Sequence, residues 1–249
     1  MGHEMSVRSA SARIWTAALA VALVLLATGM ISGCAGQSYS CGTADANHCY
    51  GVVKWAGDPT GLSVEETPVA LTSGDIFVDD EAWLVDYSSG PTSWVETGEL
   101  NEGYGTNYFW AYSTGGTSGF MTYDLGAVSA SDMKGAWIAY QIQQSPKEPS
   151  QWAVTISRAA SGTVLYEPSP ADVPMTPNTV IEGQELAGQQ DAQAPLAFFS
   201  ENSVFHGTAE TLQTSNGVIE DDMPPNAGWL GSDTPSATTD GGFFFTDCC

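Results

Sequence analysis

From Gly51 onward the chain never sustains a 3.6-residue apolar period. Short apolar or alternating runs are cut instead by Gly, Pro, Asn, Asp and Ser. The runs are IFVDDEAWLVDY, SWVETG, NYFWAY, GFMTYDLG, AWIAYQIQ, QWAVTIS, TVLYEP, TVIEGQEL, PLAFFSENSVF, ETLQT and FFFTD. Successive side chains of a strand point to opposite faces, so these runs read as strands. Many short strands separated by turn signals fold as a sandwich or a barrel. Asn216-Gly217 carries the strongest two-residue hairpin signal in the chain. The stretch SASDMKG, Ser129 to Gly135, has room for one helical turn. No repeat of fixed period is visible.

Period two also sorts residues by face. In QWAVTIS, Trp152, Val154 and Ile156 share a face and are expected in the core. In AWIAYQIQ, Ile138, Tyr140 and Ile142 share one face; Trp137, Ala139, Gln141 and Gln143 share the other, a mixed face suited to a cleft. In SWVETG, Trp94 and Glu96 point the same way. Tyr108, Trp110 and Tyr112 share a side of NYFWAY and are expected near Glu96. A curved sheet with an aromatic, polar groove on its concave side has this pattern. An amphipathic sheet facing water has nearly the same one, with fewer aromatics on the wet face.

The beginning of the chain reads differently. Arg8 and Arg13 form a basic start, WTAALAVALVLLATGMI (Trp15 to Ile31) is apolar and uncharged, and Ile31-Ser32-Gly33-Cys34 follows. This is a secretory signal pattern. The Cys directly after small residues resembles the bacterial lipobox, which implies lipidation of Cys34. The expected organisation is a lipoprotein signal peptide over 1–33, a flexible tether over 34–50 and a single β-sandwich domain over 51–249. The expected location is the outward-facing cell envelope of a bacterium, lipid-anchored or secreted, with the membrane met through the anchor alone.

With 6 Lys and Arg against 29 Asp and Glu, the formal net charge is −23. Such a surface repels phosphate backbones, so nucleic acid is excluded as a partner. Setting Cys34 aside leaves Cys41, Cys49, Cys248 and Cys249, an even number for an oxidising compartment, and disulfides are expected among them. Pairing within each end and crossed pairing between the ends both stay open. His48 beside Cys49 is a weak metal signal, and no zinc spacing accompanies it. His206 adjoins no nucleophile elbow, and no G-x-S-x-G occurs. Asp79-Asp80-Glu81 and Asp221-Asp222 are acidic clusters of the kind calcium uses, without a recognisable loop spacing. There is no phosphate loop or dinucleotide fingerprint. The expectation is therefore no cofactor and no metal.

The stretch VETGELNEGYGTNYFWAYSTGGTSGFMTYDLG, Val95 to Gly126, resembles the first half of a neprosin-type domain. The matching parts are Glu96-Thr97-Gly98, Tyr104-Gly105, the aromatic strand Tyr108 to Tyr112, and the Gly-rich turn Gly115 to Phe120. Further on, QWAVTIS and VIEGQELAG, with Gly183-Gln184-Glu185, stand where that family has a Trp strand and a second glutamate. Gln184 departs from the glycine pair of the family, FWAYS stands where plant members have a YWTAD-like run, and Glu182 competes with Glu185. The resemblance implies an all-β, concanavalin-like antiparallel β-sandwich (jelly roll). It further implies a glutamic-type endopeptidase, related to the fungal glutamic peptidases in which glutamine replaces the first glutamate.

Two carboxyls can hydrolyse a peptide bond without a metal. One takes a proton from water and the other donates one, and two close carboxyls titrate as a pair. The resemblance implies Glu96 and Glu185 in these roles, at acid pH. Strand alternation suggests Tyr108, Trp110, Gln141 and Gln143 as substrate-binding walls. The ordinary reading of any of these glutamates is a solvated strand face. The expected partner is a peptide or protein substrate. A non-catalytic module for glycan or peptide is the alternative, motivated by Trp94, Tyr108, Trp110, Tyr112 and Trp137, whose flat rings stack on sugars.

Overall fold

The computed structural model describes residues 48–71, 77–88, 92–115, 120–187, 197–212, 217–221 and 243–245. These form two antiparallel sheets and one short 3-10 turn. The first sheet holds β1 (His48–Ala56), β3 (Phe77–Asp86), β4 (Ser93–Asn101), β5 (Asn107–Thr114), β6 (Phe120–Ala127), β11 (Thr179–Ala187) and β14 (Val218–Asp221), in the order β14-β1-β11-β3-β4-β5-β6. The second holds β2 (Gly61–Glu66), β7 (Ile138–Gln144), β8 (Gln151–Arg158), β10 (Ala171–Asp172), β12 (Ala197–His206) and β13 (Ala209–Leu212), in the order β10-β8-β7-β2-β12-β13. Two short strands attach to it: β9 (Thr163–Tyr166) on β8 and β15 (Phe243–Phe245) on β12. The expected antiparallel β-sandwich is the fold.

The core lies between the sheets. Val78, Ala82, Leu84 and Val95 from the first sheet meet Leu62, Val64, Ile138, Tyr140, Ile142, Trp152, Val154 and Ile156 from the second. The face assignments for β7 and β8 hold: their inward residues are buried and the alternate ones half-exposed. Trp152 shows what such a position requires. It is fully buried, and its indole Nε1–H donates to the Val173 carbonyl at 3.1 Å, so its one polar group is satisfied inside the core. The helical turn expected in SASDMKG is the 3-10 turn Asp132–Lys134, closed by Gly135 in the left-handed region.

Three expectations are corrected. β13 and β14, the described strands on either side of Asn216-Gly217, pair in different sheets and not with each other. The tight hairpin is β12–β13, where His206 faces Ala209 across Gly207-Thr208, with Gly207 at φ 67°. The stretch His48 to Tyr50 belongs to β1 and pairs with β11, so it is sheet rather than tether. The aromatic residues Tyr108, Trp110 and Tyr112 face the inter-sheet core or pack at its margin. Cys49 lies in β1; residues 1–33, Cys34, Cys41, Cys248, Cys249 and Asn216 lie outside the described residues.

The topology positions the site through β11. β3, β4, β5 and β6 form a local meander, whereas β11 inserts between β1 and β3 from almost a hundred residues on. β3 therefore lies between the strand carrying Glu96 and the strand carrying Glu185. Burial along β3 and β4 is nearly continuous instead of alternating, so both faces of the sheet are shielded there.

Candidate active site

Strand register settles which groups share a face. On β3, Asp79 lies opposite Glu185 on β11 and Leu100 on β4; Glu81 lies opposite Gly183 and Gly98; Trp83 lies opposite Ile181 and Glu96. All these side chains point away from the second sheet, so Asp79, Glu81, Glu96 and Glu185 form one cluster on the outer face. Single carboxylate oxygens of Asp79, Glu81 and Glu185 lie within 4.8 Å of one another. Glu81 and Glu96 approach on the diagonal. Glu96 and Glu185 keep 6% and 5% of their surface, while Asp79 and Glu81 keep 2% and 0%. The two residues named by the sequence are thus the outer rim of the cluster, with two deeper carboxyls between them.

The glycines explain how four acids fit. Gly98 and Gly183 flank Glu81 on both neighbouring strands. A Cβ on Gly98 would lie 2.0 Å from the Asp80 carbonyl oxygen, and one on Gly183 would lie 2.2 Å from the Gly51 carbonyl oxygen. Gly183 also sits at φ 151°, where side chains are rarely tolerated. The absent side chains leave Glu81 open space along the sheet, so its carboxyl reaches both Glu96 and the Asp79–Glu185 pair.

Clustered, buried carboxyls hold their protons. Burial pushes Glu96 up to about 8, with the charge of Glu185 adding to the rise and Glu81 tempering it. Burial and then the charges of Glu185 and Glu96 drive Asp79 well above the carboxylate range, although the Glu185 backbone N–H donates to Asp79 Oδ1 at 3.2 Å. Glu81 rises as well, through burial and the charges of Asp79, Glu96 and Glu185. The Tyr50 hydroxyl bonds to the Glu185 carboxylate, and burial and that negative charge keep the phenol protonated. The site therefore combines an acid that holds its proton at neutral pH, Glu96, with an acceptor, Glu185, oriented by a phenol.

The aromatic wall is not the expected one. Glu96 lies opposite Ala111, and Thr97 opposite Trp110, so Tyr108 and Trp110 point through the sheet to the core side. Trp110 stacks on Tyr123, with ring centroids 5.2 Å apart. Gln141 and Gln143 belong to the second sheet, whose inward face is taken by Ile138, Tyr140 and Ile142, and Trp137 directly precedes its strand β7. None of these lines the Glu96 face. The rings that do are Tyr50, Trp83, Trp94 and Phe120, in successive contact at 5.8, 6.2 and 5.5 Å. Trp94 was legible from its parity with Glu96. Asp79, Glu81 and Trp83 share one parity in IFVDDEAWLVDY, a signal that was available; Tyr50 lay in the presumed tether. Glu182, the competing glutamate, lies opposite Ala82 and Val53 on the core face, fully buried and across the sheet from Glu96.

The sandwich itself matches known structures. The chain shares its fold with solved glutamic peptidases. A crystal structure of scytalido-glutamic peptidase with a transition state analog inhibitor superposes at a TM-score of 0.60 and 12% identity, over 82% of this chain and all of that one. SCP-B, a member of the eqolisin family of peptidases, in a complex with the tripeptide Ala-Ile-His, gives 0.53 and 13%, with the same coverage. At these identities the likeness is one of fold. No protein-family model and no curated protein matches the chain.

Proposed function

We propose that the protein is a glutamic-type endopeptidase that uses Glu96 and Glu185 on the outer face of the seven-stranded sheet. The observation that carries this reading is the shared face: two glutamates 89 positions apart reach one cluster, joined through Glu81 between two glycines. The likeness to eqolisin-type sandwiches supports it. Glu185 takes a proton from water as the water oxygen attacks the scissile carbonyl carbon, and Glu96 gives its proton to the carbonyl oxygen. When the tetrahedral adduct collapses, the C–N bond breaks and the leaving nitrogen takes the proton from Glu185. The adduct returns a hydroxyl proton to Glu96, and both groups are reset. Trp83, directly opposite Glu96, has a buried indole N–H without a hydrogen bond. The row Tyr50, Trp83, Trp94 and Phe120 would hold the peptide.

The neprosin-type placement, export and lipid attachment through Cys34 complete the proposal. Its motive is the sequence pattern, and mass spectrometry of the membrane-extracted protein tests the lipid. The activity is tested by incubating the protein with a mixed peptide library from about pH 3 to pH 9 and reading products by mass spectrometry. Cleavage that vanishes in Glu96→Gln and in Glu185→Gln supports the dyad. A folded wild-type protein that cuts nothing rejects it. A second reading, a non-catalytic glycan or peptide binder, rests on the same aromatic row; binding on arrays that survives both substitutions, without turnover, favours it.

A further inference from the structure

The opposite face of the same sheet carries a second acidic cluster that the proposed reaction does not use. Gln184, Asp80 and Glu99 stand in one row across β11, β3 and β4, pointing into the space between the sheets. Glu66 reaches the row from β2 in the facing sheet. One oxygen each of Glu66, Asp80 and Glu99 lies within 4.8 Å of the others, and the three residues keep 1%, 0% and 0% of their surface. Oxygens bound to one ion at about 2.4 Å stand no more than about 4.8 Å apart, which is the spacing found here.

A second observation points to a ligand. Asp80 is fully buried, yet neither of its oxygens receives a hydrogen bond of normal geometry, and Glu66 Oε1 receives none. The Gln184 amide directly opposite and the Glu66 carboxyl both lie close enough to act on the Asp80 carboxyl. Glu99 differs: Tyr140 and the Val69 backbone N–H donate to it, fixing its orientation while each oxygen keeps a lone pair. Buried carboxyls must either hold protons or meet a positive partner, and among the described residues no basic side chain reaches these. Of the protein's six basic residues, Arg8 and Arg13 lie outside the described residues. Lys54 sits on the outer face opposite Ile181, Lys134 and Lys147 are exposed, and Arg158 is bonded to Asp132.

We propose that Glu66, Asp80 and Glu99 form a buried site for one divalent cation of calcium size, held between the two sheets. The donors are all oxygen, which disfavours zinc and copper. Three carboxylates that bind through one or two oxygens, with the Gln184 amide oxygen, supply up to about seven ligands, within the range calcium takes. Magnesium keeps several waters, and a site closed to solvent has no place for them. The ion would tie β2 to β3 and β4, joining the sheets at the level of the outer cluster. Because the site is closed, loading accompanies folding.

The test is refolding of the full chain at neutral pH in EDTA or in calcium chloride, followed by desalting and metal analysis by mass spectrometry. About one calcium ion per chain should remain after refolding with calcium, and the melting temperature should exceed that of the EDTA sample. Asp80→Asn should abolish retention, whereas Glu81→Gln, on the outer face, should keep it. If Asp80→Asn fails to fold, Glu66→Gln removes a ligand from the other sheet and should lose the ion. A folded wild-type chain that retains no calcium overturns the proposal: the cluster then holds protons only. Retention by Asp80→Asn, or loss in Glu81→Gln alone, overturns it also, placing any ion elsewhere. The readout is bound metal, so its failure is separate from failure of the peptidase reading.

Discussion

Asp79, Asp80 and Glu81 are consecutive on β3, yet they serve two different clusters. Asp79 and Glu81 point outward to Glu96 and Glu185, and Asp80 points inward to Glu66 and Glu99. The clusters resemble each other in charge and burial and differ in their neighbours. The outer one is flanked by Gly98 and Gly183, has a rim of two glutamates that retain some surface, and lies beside a row of aromatic rings. The inner one is sealed between sheets, with Tyr140 and a backbone N–H on Glu99 and no hydrogen bond of normal geometry on Asp80. In the proposed reading, the same side-chain chemistry would serve a reaction where a substrate can arrive and an ion site where it cannot.

The sharpest way to break this comparison is substitution on either face of β11. Glu185→Gln or Glu96→Gln should lower kcat/KM on the best library peptide by about 10²–10⁴ fold. Glu182→Gln, three residues from Glu185 but on the core face, should leave the rate unchanged. Equal losses in Glu182→Gln and Glu185→Gln would erase the distinction between the faces. The decline of kcat/KM with rising pH should sit near 8, where Glu96 gives up its proton.

Stability should follow pH in a direction set by the buried acids of both clusters. Glu96 rises from 4.5 to about 8 in the folded protein, so between these values the folded state holds a proton that the unfolded chain has released. That contribution is complete below about pH 4.5 and is lost as the pH climbs to about 8; Asp79 and Glu81 act in the same sense. Asp132, lowered by its bond to Arg158, acts oppositely and loses its contribution only as the pH falls toward and below its ordinary value. Thermal melts in EDTA should therefore be highest in mild acid and fall steadily toward pH 8. A midpoint that rises over that interval would show that the outer acids are not held protonated.

Two smaller effects sharpen the picture. Gly98→Ala places a Cβ against the β3 backbone beside the cluster and should cost about 3 kcal/mol, read from denaturant melts. Gly57→Ala has open space around its Cβ and should cost little. On the inner face, Tyr140→Phe removes a donor to Glu99 and should cost about 1–2 kcal/mol without changing the rate. A rate loss in Tyr140→Phe would couple the two clusters through β3 and β4.

How far these features were legible differs strand by strand. β7 and β8 were readable because one face packs and the other stays half-exposed, so their alternation is visible locally. β3 and β4 are buried on both faces, and alternation there assigns partners without saying which partner set is inside. NYFWAY was misread for that reason. Its parity was right, but the β4–β5 register, Glu96 to Ala111, turned its large aromatics away from Glu96. β1 was missed in part because His48, Cys49 and Tyr50 follow a small, polar stretch, and their pairing partner lies more than a hundred residues away on β11.

The amino-acid sequence by itself determined the all-β class, the parity within each strand, the strongly acidic charge, and the two glutamates of the outer rim. Each of these is carried by local period, composition or short motifs. Only the tertiary structure decided that β11 enters between β1 and β3, that Asp79 and Glu81 join Glu96 and Glu185, and that Asp80 turns to Glu66 across the core. The reason is physical: side-chain direction alternates along a strand and can be counted, whereas strand order and the face that meets the second sheet follow from long-range pairing and from which surfaces can be packed together.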